Sequence, residues 1–392
     1  MGDVCEFHRG ASVPRARMRD FGDDLYIHYG DLYRGFTVRI DIESPQKPIP
    51  YIDASEKIKP EQRLADQDIV YVLTSETVDD LGHAFLFNNP RSEPAVAGTE
   101  TTIVRVTRRD LLVPAYLNYL LQSTRFKLRL RQYVRGMKVF RVHPNDLAKI
   151  EIDIPGIDDQ RKAVSILDAI FDKQLVSQRT NDYLLKLAEA LFTSWFVGDG
   201  SLYPTYKVLM YEVAAICAGG DKPDICQKLP SEECTVPIFS NGTDNEGLYG
   251  YTSTAKVFQP SVTVSARGTI GYICLRRKPF YPIVRLISAT PNERTSAEYL
   301  FLWLRRTMIT GVGTTQQQLT VPMFKNYEID IPNTDDLSKF TRITGPLFEA
   351  IEANKKENES MSRLRDALLP KLMSGEIDLS KIELPTPSNN HL

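Results

Sequence analysis

The sequence predicts an α+β fold: two globular α/β regions separated by an antiparallel pair of long helices, arranged as a pseudo-twofold internal repeat. Three observations predict it. Glu151-Ile152-Asp153-Ile154-Pro155 recurs as Glu328-Ile329-Asp330-Ile331-Pro332. Each copy leads through an acidic pair, Asp158-Asp159 or Asp335-Asp336, into a long helical pattern in which Ala190-Leu191 falls on Ala367-Leu368. The region before each copy carries short runs rich in β-branched and aromatic residues, and the register extends into it, setting Gly136 against Gly313 and Leu147 against Phe324.

Residues 1–146 read as the first globular region. Leu25-Tyr26-Ile27-His28-Tyr29 and Asp68-Ile69-Val70-Tyr71-Val72-Leu73 are strand-like, whereas Leu111 to Tyr133 has helical spacing with Leu117, Leu120 and Leu121 near one face. Residues 147–200 hold the first long helix, from Asp158 to about Phe196. Its acidic start suits exposed amides and the helix dipole, and Gly198-Asp199-Gly200 ends it. Leu167, Ile170 or Phe171, and Leu175 begin an apolar seam that Leu184, Leu187, Leu191 and Trp195 continue. At the α-helical rise it would span on the order of 60 Å.

Residues 201–323 form the second globular region. Val236-Pro237-Ile238-Phe239 leads into the turn-forming Ser240-Asn241-Gly242, and Ser261 to Ser265 runs into Arg267-Gly268-Thr269-Ile270-Gly271. Glu298 to Leu304 repeats the pattern of Pro114 to Leu120. Residues 324–380 hold the second long helix, with Phe340, Ile343, Leu347 and Ile351 in one stretch of seam and Met361, Leu364, Leu368 and Leu372 in another. Asn354 to Glu359 between them reads as a solvated mid-section, and Gly345-Pro346 as a kink. Residues 381–392 read as a disordered tail. A lone amphipathic helix of such length is unstable. The two seams therefore either pack on each other, as their identical register favours, or each caps its own domain.

A chain of 392 residues with 42% hydrophobic and 25% charged residues is of the globular class and too long for one ordinary core. No run is long enough to span a membrane and residues 1–20 lack a signal-peptide core, so a cytoplasmic location is expected. Five cysteines include no C-x-x-C pair, and Cys217, Cys226 and Cys234 are wrongly spaced for a zinc knuckle; reduced thiols and no metal are expected. The net charge of −2 hides a basic stretch: ten Lys or Arg and one acid, Asp110, lie from Arg105 to Arg141, interleaved with Tyr116, Tyr119, Phe126 and Tyr133. It is either a phosphate-facing surface or a helix face whose acidic partners come from elsewhere in the fold. Catalytic signatures are lacking. Asn88-Asn89-Pro90-Arg91 fails as an Asn-Pro-Pro-Tyr box, Gly219-Gly220-Asp221-Lys222-Pro223 fails as a nucleotide loop, and no H-E-x-x-H or G-x-S-x-G occurs. The chain reads as a recogniser with no catalytic residue and no cofactor of its own.

Ile150 to Pro155, followed by Asp159-Gln160-Arg161-Lys162 and Ile166-Leu167-Asp168, resembles the specificity subunits of type I restriction-modification systems. So do Ala190-Leu191-Phe192-Thr193-Ser194-Trp195-Phe196 and, most specifically, Leu368-Leu369-Pro370-Lys371-Leu372-Met373-Ser374-Gly375-Glu376-Ile377. The resemblance covers nearly the whole chain. It implies a non-catalytic subunit in which each globular region is a target-recognition domain reading one half of a split double-stranded DNA sequence. The paired helices would set the gap and dock two methyltransferase subunits, and restriction subunits that translocate DNA would join them. S-adenosylmethionine, ATP and magnesium would belong to those partners. The chain departs from the family in starting almost at once before Gly2-Asp3-Val4, and in Gly345-Pro346. A self-contained methyltransferase or nuclease, and a solitary interaction protein that has lost DNA reading, are the rival readings.

Base reading needs donors and acceptors on loops beside groups that hold phosphates. In the second domain the candidates are Ser240, Asn241, Tyr249, Tyr251 and Arg267, whose loop resembles the family's GRKGSIG, with Gln316, Gln317 and Gln318 as readers of adenine edges. A simple turn at Asn241-Gly242 and a plain polar loop at the glutamines are the alternatives. In the first domain Thr74 and Ser75 occupy the equivalent loop, Lys138 and Arg141 match the glutamines, and Arg15, Arg17, Tyr29 and Arg34 are further candidates. Leu184, Leu187, Leu191, Trp195, Leu364, Leu368 and Leu372 are the candidates for partner docking.

Overall fold

In a computed structural model of the chain, residues 1–33, 35–309 and 318–382 are described below. They fall into two units: residues 1–176 with 358–382, and residues 177–357. The proposed disordered tail lies outside the described residues from 383 onward.

In unit 1 the strands are β1 (Cys5–Arg9), β2 (Asp24–Ile27), β3 (Arg39–Asp41), β4 (Tyr51–Ile52) and β5 (Ile69–Val72). They continue with β6 (Thr74–Ser75), β7 (His83–Asn88), β8 (Ala95–Ala97), β9 (Thr101–Val106) and β10 (Phe140–Arg141). Every residue of β5 is buried, as a strand covered on both faces demands, and it is central in the order β1-β9-β5-β7-β3. A smaller sheet, β4-β2-β8, and the pair β10-β6 complete the set. The helices are α1 (Tyr29–Leu32), α2 (Pro114–Gln122), α3 (Thr124–Arg131), α4 (Pro144–Leu147) and the first part of α5 (Ile157–Phe196). The expected single helix from Leu111 to Tyr133 is thus two. Ser123 leaves helical dihedrals, its hydroxyl donating to the Leu120 carbonyl and accepting from the Phe126 amide, so one helix stops and the next is capped at the same residue.

Unit 2 repeats this construction. Its strands are β11 (Thr205–Leu209), β12 (Ala214–Ala218), β13 (Val236–Phe239), β14 (Leu248–Thr252), β15 (Ser261–Val264), β16 (Ile273–Arg276), β17 (Tyr281–Pro282), β18 (Ile287–Pro291) and β19 (Glu328–Pro332). Its helices are α6 (Met210–Val213), α7 (Ala297–Arg306), α8 (Val321–Lys325) and most of α9 (Thr334–Ser374). The order β12-β18-β15-β16 reproduces β1-β9-β5-β7, and β14-β13-β17 reproduces β4-β2-β8, each triplet with one antiparallel and one parallel pairing. The repeated pentapeptide diverges. Its second copy is β19, paired with β11, with Ile329 and Ile331 fully buried; in its first copy, irregular backbone, Ile152 and Ile154 are only half-buried.

The two long helices meet antiparallel within each unit. In unit 1 Gln174 donates to the Asn358 carbonyl (3.1 Å) and the Ser362 hydroxyl (2.8 Å), and Lys162 donates to the Leu379 carbonyl (2.8 Å) just beyond the end of α9. In unit 2 Asn354 donates to the Asn181 side-chain oxygen (2.8 Å), and Phe340 meets Phe192, Trp195 and Phe196. The polar mid-section is therefore not simply solvated: Asn354 and Asn358 bond across the helix pair. Gly345-Pro346 does not interrupt α9. Both Pro346 and Arg342, whose carbonyl the proline cannot satisfy, are exposed to solvent. The seams also differ from the sequence reading. On α5 the buried line is Ala188, Phe192 and Phe196, flanked by Leu184, Leu191 and Trp195, while Leu187 is exposed. On α9 Phe340, Phe348 and Ile351 are buried, and Ile343 and Leu364 are exposed. Both helices serve a domain as well as each other, Phe192 also packing on Tyr299 of α7, so the apolar face is wider than a two-helix seam.

Charge is buried where it is paired. Asp68, fully buried, accepts from Arg105 Nε (2.9 Å) and Nη2 (2.6 Å) and from the Ala65 amide (2.8 Å). Asp68→Ala strips all three donors of their acceptor, and urea unfolding is expected to show a loss of about 3 kcal/mol; a midpoint equal to the parent protein's would mean water replaces the carboxylate. Cys5, Cys217, Cys226, Cys234 and Cys274 are free thiols, and burial pushes Cys5 up to about 12.

Candidate nucleic-acid interface

The backbone aligns the candidate loops of the two units. The Val142 amide donates to the Leu73 carbonyl and the Leu319 amide to the Ala266 carbonyl, each at 3.0 Å. Thr74 therefore corresponds to Arg267, and Arg141 to Gln318. In unit 1, Thr74 and Arg141 are opposite each other across β6 and β10. In unit 2, Arg267 donates through Nε (3.0 Å) and Nη2 (2.7 Å) to the Gln318 side-chain oxygen.

Around the first pair, Arg9, Thr101, Thr102, Arg135 and His143 join Thr74 and Arg141 to line a cleft of about 440 Å³. Its hydroxyls and guanidiniums suit phosphate oxygens and base edges. Arg141 reaches Glu100 at 3.5 Å, and Arg135 reaches Asp146 at 3.2 Å. Hydrogen bonding from Lys149, with the Arg135 charge, holds the Asp146 carboxyl below its usual range. A neighbouring cleft of about 400 Å³ shares Ser12 and is lined by Arg17, Lys57 and Lys59, with Arg17 bound to Glu56 at 2.9 Å.

Seven of the ten basic residues in the basic stretch are ion-paired within the unit. Arg105, Arg108, Arg125, Arg129, Arg131, Arg135 and Arg141 each have a carboxylate partner, from Asp68, Asp110, Asp153, Asp79, Asp146 or Glu100. All but Asp110 come from outside the stretch or its helices, which sequence distance conceals.

In unit 2, Asn241 fastens loops together. Its Nδ2 donates to the Val284 carbonyl (2.6 Å), its Oδ1 accepts from the Ala266 amide (2.7 Å), and its carbonyl accepts from Ser265 Oγ (3.2 Å). Each end of the amide has a partner within the unit, so Asn241 holds these loops together, with one Nδ2 hydrogen and one Oδ1 lone pair left over. Ser240, beside it, bonds to the Gly247 carbonyl through its amide (2.8 Å) and its hydroxyl (3.4 Å). The structure thus gathers Ser240, Asn241, Arg267 and Gln318. Tyr249 and Tyr251 are on β14, Tyr249 beneath the Lys228 ammonium at 4.7 Å. In unit 1, Ser75 pairs with Phe140 beside Thr74, Lys138 is exposed, and Arg15 and Tyr29 line neither cleft. Arg34, Gln316 and Gln317 lie outside the described residues. Sequence reasoning missed Arg9, Thr101, Thr102 and Glu100, because only the sheet order brings the end of β1 and the start of β9 beside Thr74. Among the described residues no group of three or more His, Cys, Asp or Glu is placed to hold a metal, and no helix is long and apolar enough to cross a membrane.

Comparison with known proteins agrees with this geometry. Residues 210–362 match a family described as the type I restriction modification DNA specificity domain. A putative type I specificity subunit of Mycoplasma pneumoniae is 29% identical over 208 residues, 52% of this chain and 56% of that protein, so the match spans little more than half of this relative. The C-terminal part of another from the same organism is 38% identical over 98 residues, 25% of this chain and 68% of that protein. The crystal structure of a type I restriction-modification S subunit from M. genitalium superposes with a TM-score of 0.59 at 13% identity, covering 95% of this chain and 94% of that one, which shows the same fold. Duplicated sheets, antiparallel long helices and these likenesses together place the chain in the family of type I restriction-modification specificity subunits.

Proposed function

We propose that the chain is a non-catalytic DNA-reading subunit whose two domains each recognise one half of a bipartite target. The observation that carries this reading is the equivalence of Thr74 and Arg141 with Arg267 and Gln318. Two copies of one fold present different polar side chains at one place, as two readers of unlike sequences require. Thr74, Ser75, Arg141, Lys138, Ser240, Arg267 and Gln318 would contact DNA, with Asn241 holding the loops; Arg15, Arg17, Tyr29, Tyr249 and Tyr251 would act at the periphery. The helices α5 and α9 would fix the gap and dock two methyltransferase subunits carrying S-adenosylmethionine, with ATP-driven restriction subunits joining them. Leu187 and Leu364, 48% and 45% exposed, are the apolar side chains best placed for docking, because Leu372 is buried and Leu184, Leu191, Trp195 and Leu368 pack within their units.

Co-expression with an adenine methyltransferase subunit of the same operon, followed by long-read mapping of methylated adenines, tests the reading. Two short defined parts around a fixed gap are expected, and exchange of residues 201–323 for those of a relative should change one part only. An undivided motif, or a stable complex that neither methylates nor binds DNA, would replace this reading with that of an interaction protein.

A further inference from the structure

Val284 and Arg285, in the turn between β17 and β18, have φ angles of 53° and 60°. The left-handed region is costly for a β-branched residue and persists only where the surroundings over-determine it. Here the Val284 amide donates to the Gly220 carbonyl (2.8 Å), the Arg285 amide donates to the Gly219 carbonyl (2.8 Å), and Asn241 holds the Val284 carbonyl. Both side chains are exposed, so the strain serves no packing within the unit.

Unit 1 has an equivalent turn, in which only the second of the two residues has a positive φ. Gly98 donates to the Ile27 carbonyl as Ile283 does to the Phe239 carbonyl, and Gly10 donates to the Thr101 carbonyl as Gly219 does to the Leu286 carbonyl. These bonds set Thr99 against Val284 and Glu100 against Arg285, and Glu100 also has a φ of 60°. Two loops of unrelated sequence therefore keep a strained, exposed, charged residue at one position, beside Thr74 and Arg141 in one unit and beside Asn241 in the other. The charge is opposite in sign. Arg285 has no carboxylate within ion-pair distance among the described residues, whereas Glu100 rests against Arg141.

We propose that this strained position carries a base-selecting side chain in each unit: Arg285 reads guanine in one half-site and Glu100 reads cytosine in the other. A guanidinium fork matches the two major-groove acceptors of guanine, and a carboxylate accepts from the cytosine amino group. This assignment rests on the DNA-reading function proposed above.

The methylation map of the assembled complex tests it with Arg285→Ala, Arg285→Lys and Glu100→Gln beside the parent chain. Arg285→Ala is expected to reduce preference for a G·C pair at one position by about five-fold or more, leaving the other part of the motif unchanged. Glu100→Gln should relax one position in that other part. Arg285→Lys, which keeps the charge and a donor but not the planar fork, should weaken the preference by less than alanine does and covers the case in which the alanine variant melts early. An unchanged motif in all variants overturns the assignment while DNA reading stands. Uniform loss of methylation with an unchanged melting curve overturns it too, by marking a general phosphate contact. No split motif in the parent chain removes the reading on which it rests.

Discussion

Phe340→Ala is expected to destabilise unit 2 by about 3–5 kcal/mol. The ring is 1% exposed and meets Phe196 at 5.0 Å, Trp195 at 5.6 Å, Phe192 at 6.1 Å and Tyr299 at 6.2 Å between centroids. Its removal opens a cavity and deletes four ring contacts, and such pairs add to the area term. Collapse is hindered because the ring neighbours come from two other elements, α5 and α7, each held elsewhere. The repeat partner of Phe340 is Ala163, fully buried in unit 1, so the two units solve one packing position with different volumes. Both tryptophans, Trp195 and Trp303, belong to unit 2. Tryptophan fluorescence in urea therefore reports on unit 2 directly, and its midpoint should fall steeply. A shift worth less than about 1 kcal/mol would mean that the cluster closes over the gap and that the rings are not close-packed.

What the sequence shows is periodicity and punctuation. The bounds of α5 follow from the acidic pair at its start and from Gly198, whose φ of 82° suits the residue that ends a helix. The all-buried run Ile69–Val72 marks the central strand of unit 1. What stays hidden depends on partners distant in sequence. The arginines from Arg105 to Arg141 look like a phosphate-binding surface until Asp68, Asp79, Asp146 and Asp153 are folded against them. Asn241 looks like a free amide on a turn until Ala266 and Val284 arrive at its two ends. Positive φ at Glu100, Val284 and Arg285 leaves no trace in the sequence, because no glycine marks it. The candidate site was thus legible as a set of loops, and the partners that hold its side chains within the fold were not.

Gln160→Leu is the other change expected to have a large effect, and it is one that the repeat itself suggests, because Leu337 occupies the equivalent place in unit 2. Gln160 is fully buried near the start of α5. Its side-chain oxygen accepts from the Val113 amide (2.8 Å), and its nitrogen donates to the carbonyls of Leu111 (2.7 Å) and Pro155 (2.9 Å). Val113 is the residue that precedes α2 and offers no side-chain cap of its own, so one amide ties the entry of α2 to the first turn of α5. Leucine fills a similar volume and favours a helix, gains worth less than about 1 kcal/mol. Against them stand three part-buried backbone groups that lose their partner, each costing up to about 1–3 kcal/mol. The desolvation term wins, and urea unfolding should show a net loss of several kcal/mol confined to unit 1, with tryptophan fluorescence slow to follow. Gln160→Glu separates geometry from chemistry: it keeps the acceptor for Val113 but, when ionised, loses the donor to both carbonyls, and should be as damaging as leucine at pH 8. If either variant matched the parent protein, the loop from Leu111 to Val113 would have to rearrange to find water. The start of α5 would then be set by its apolar contacts alone.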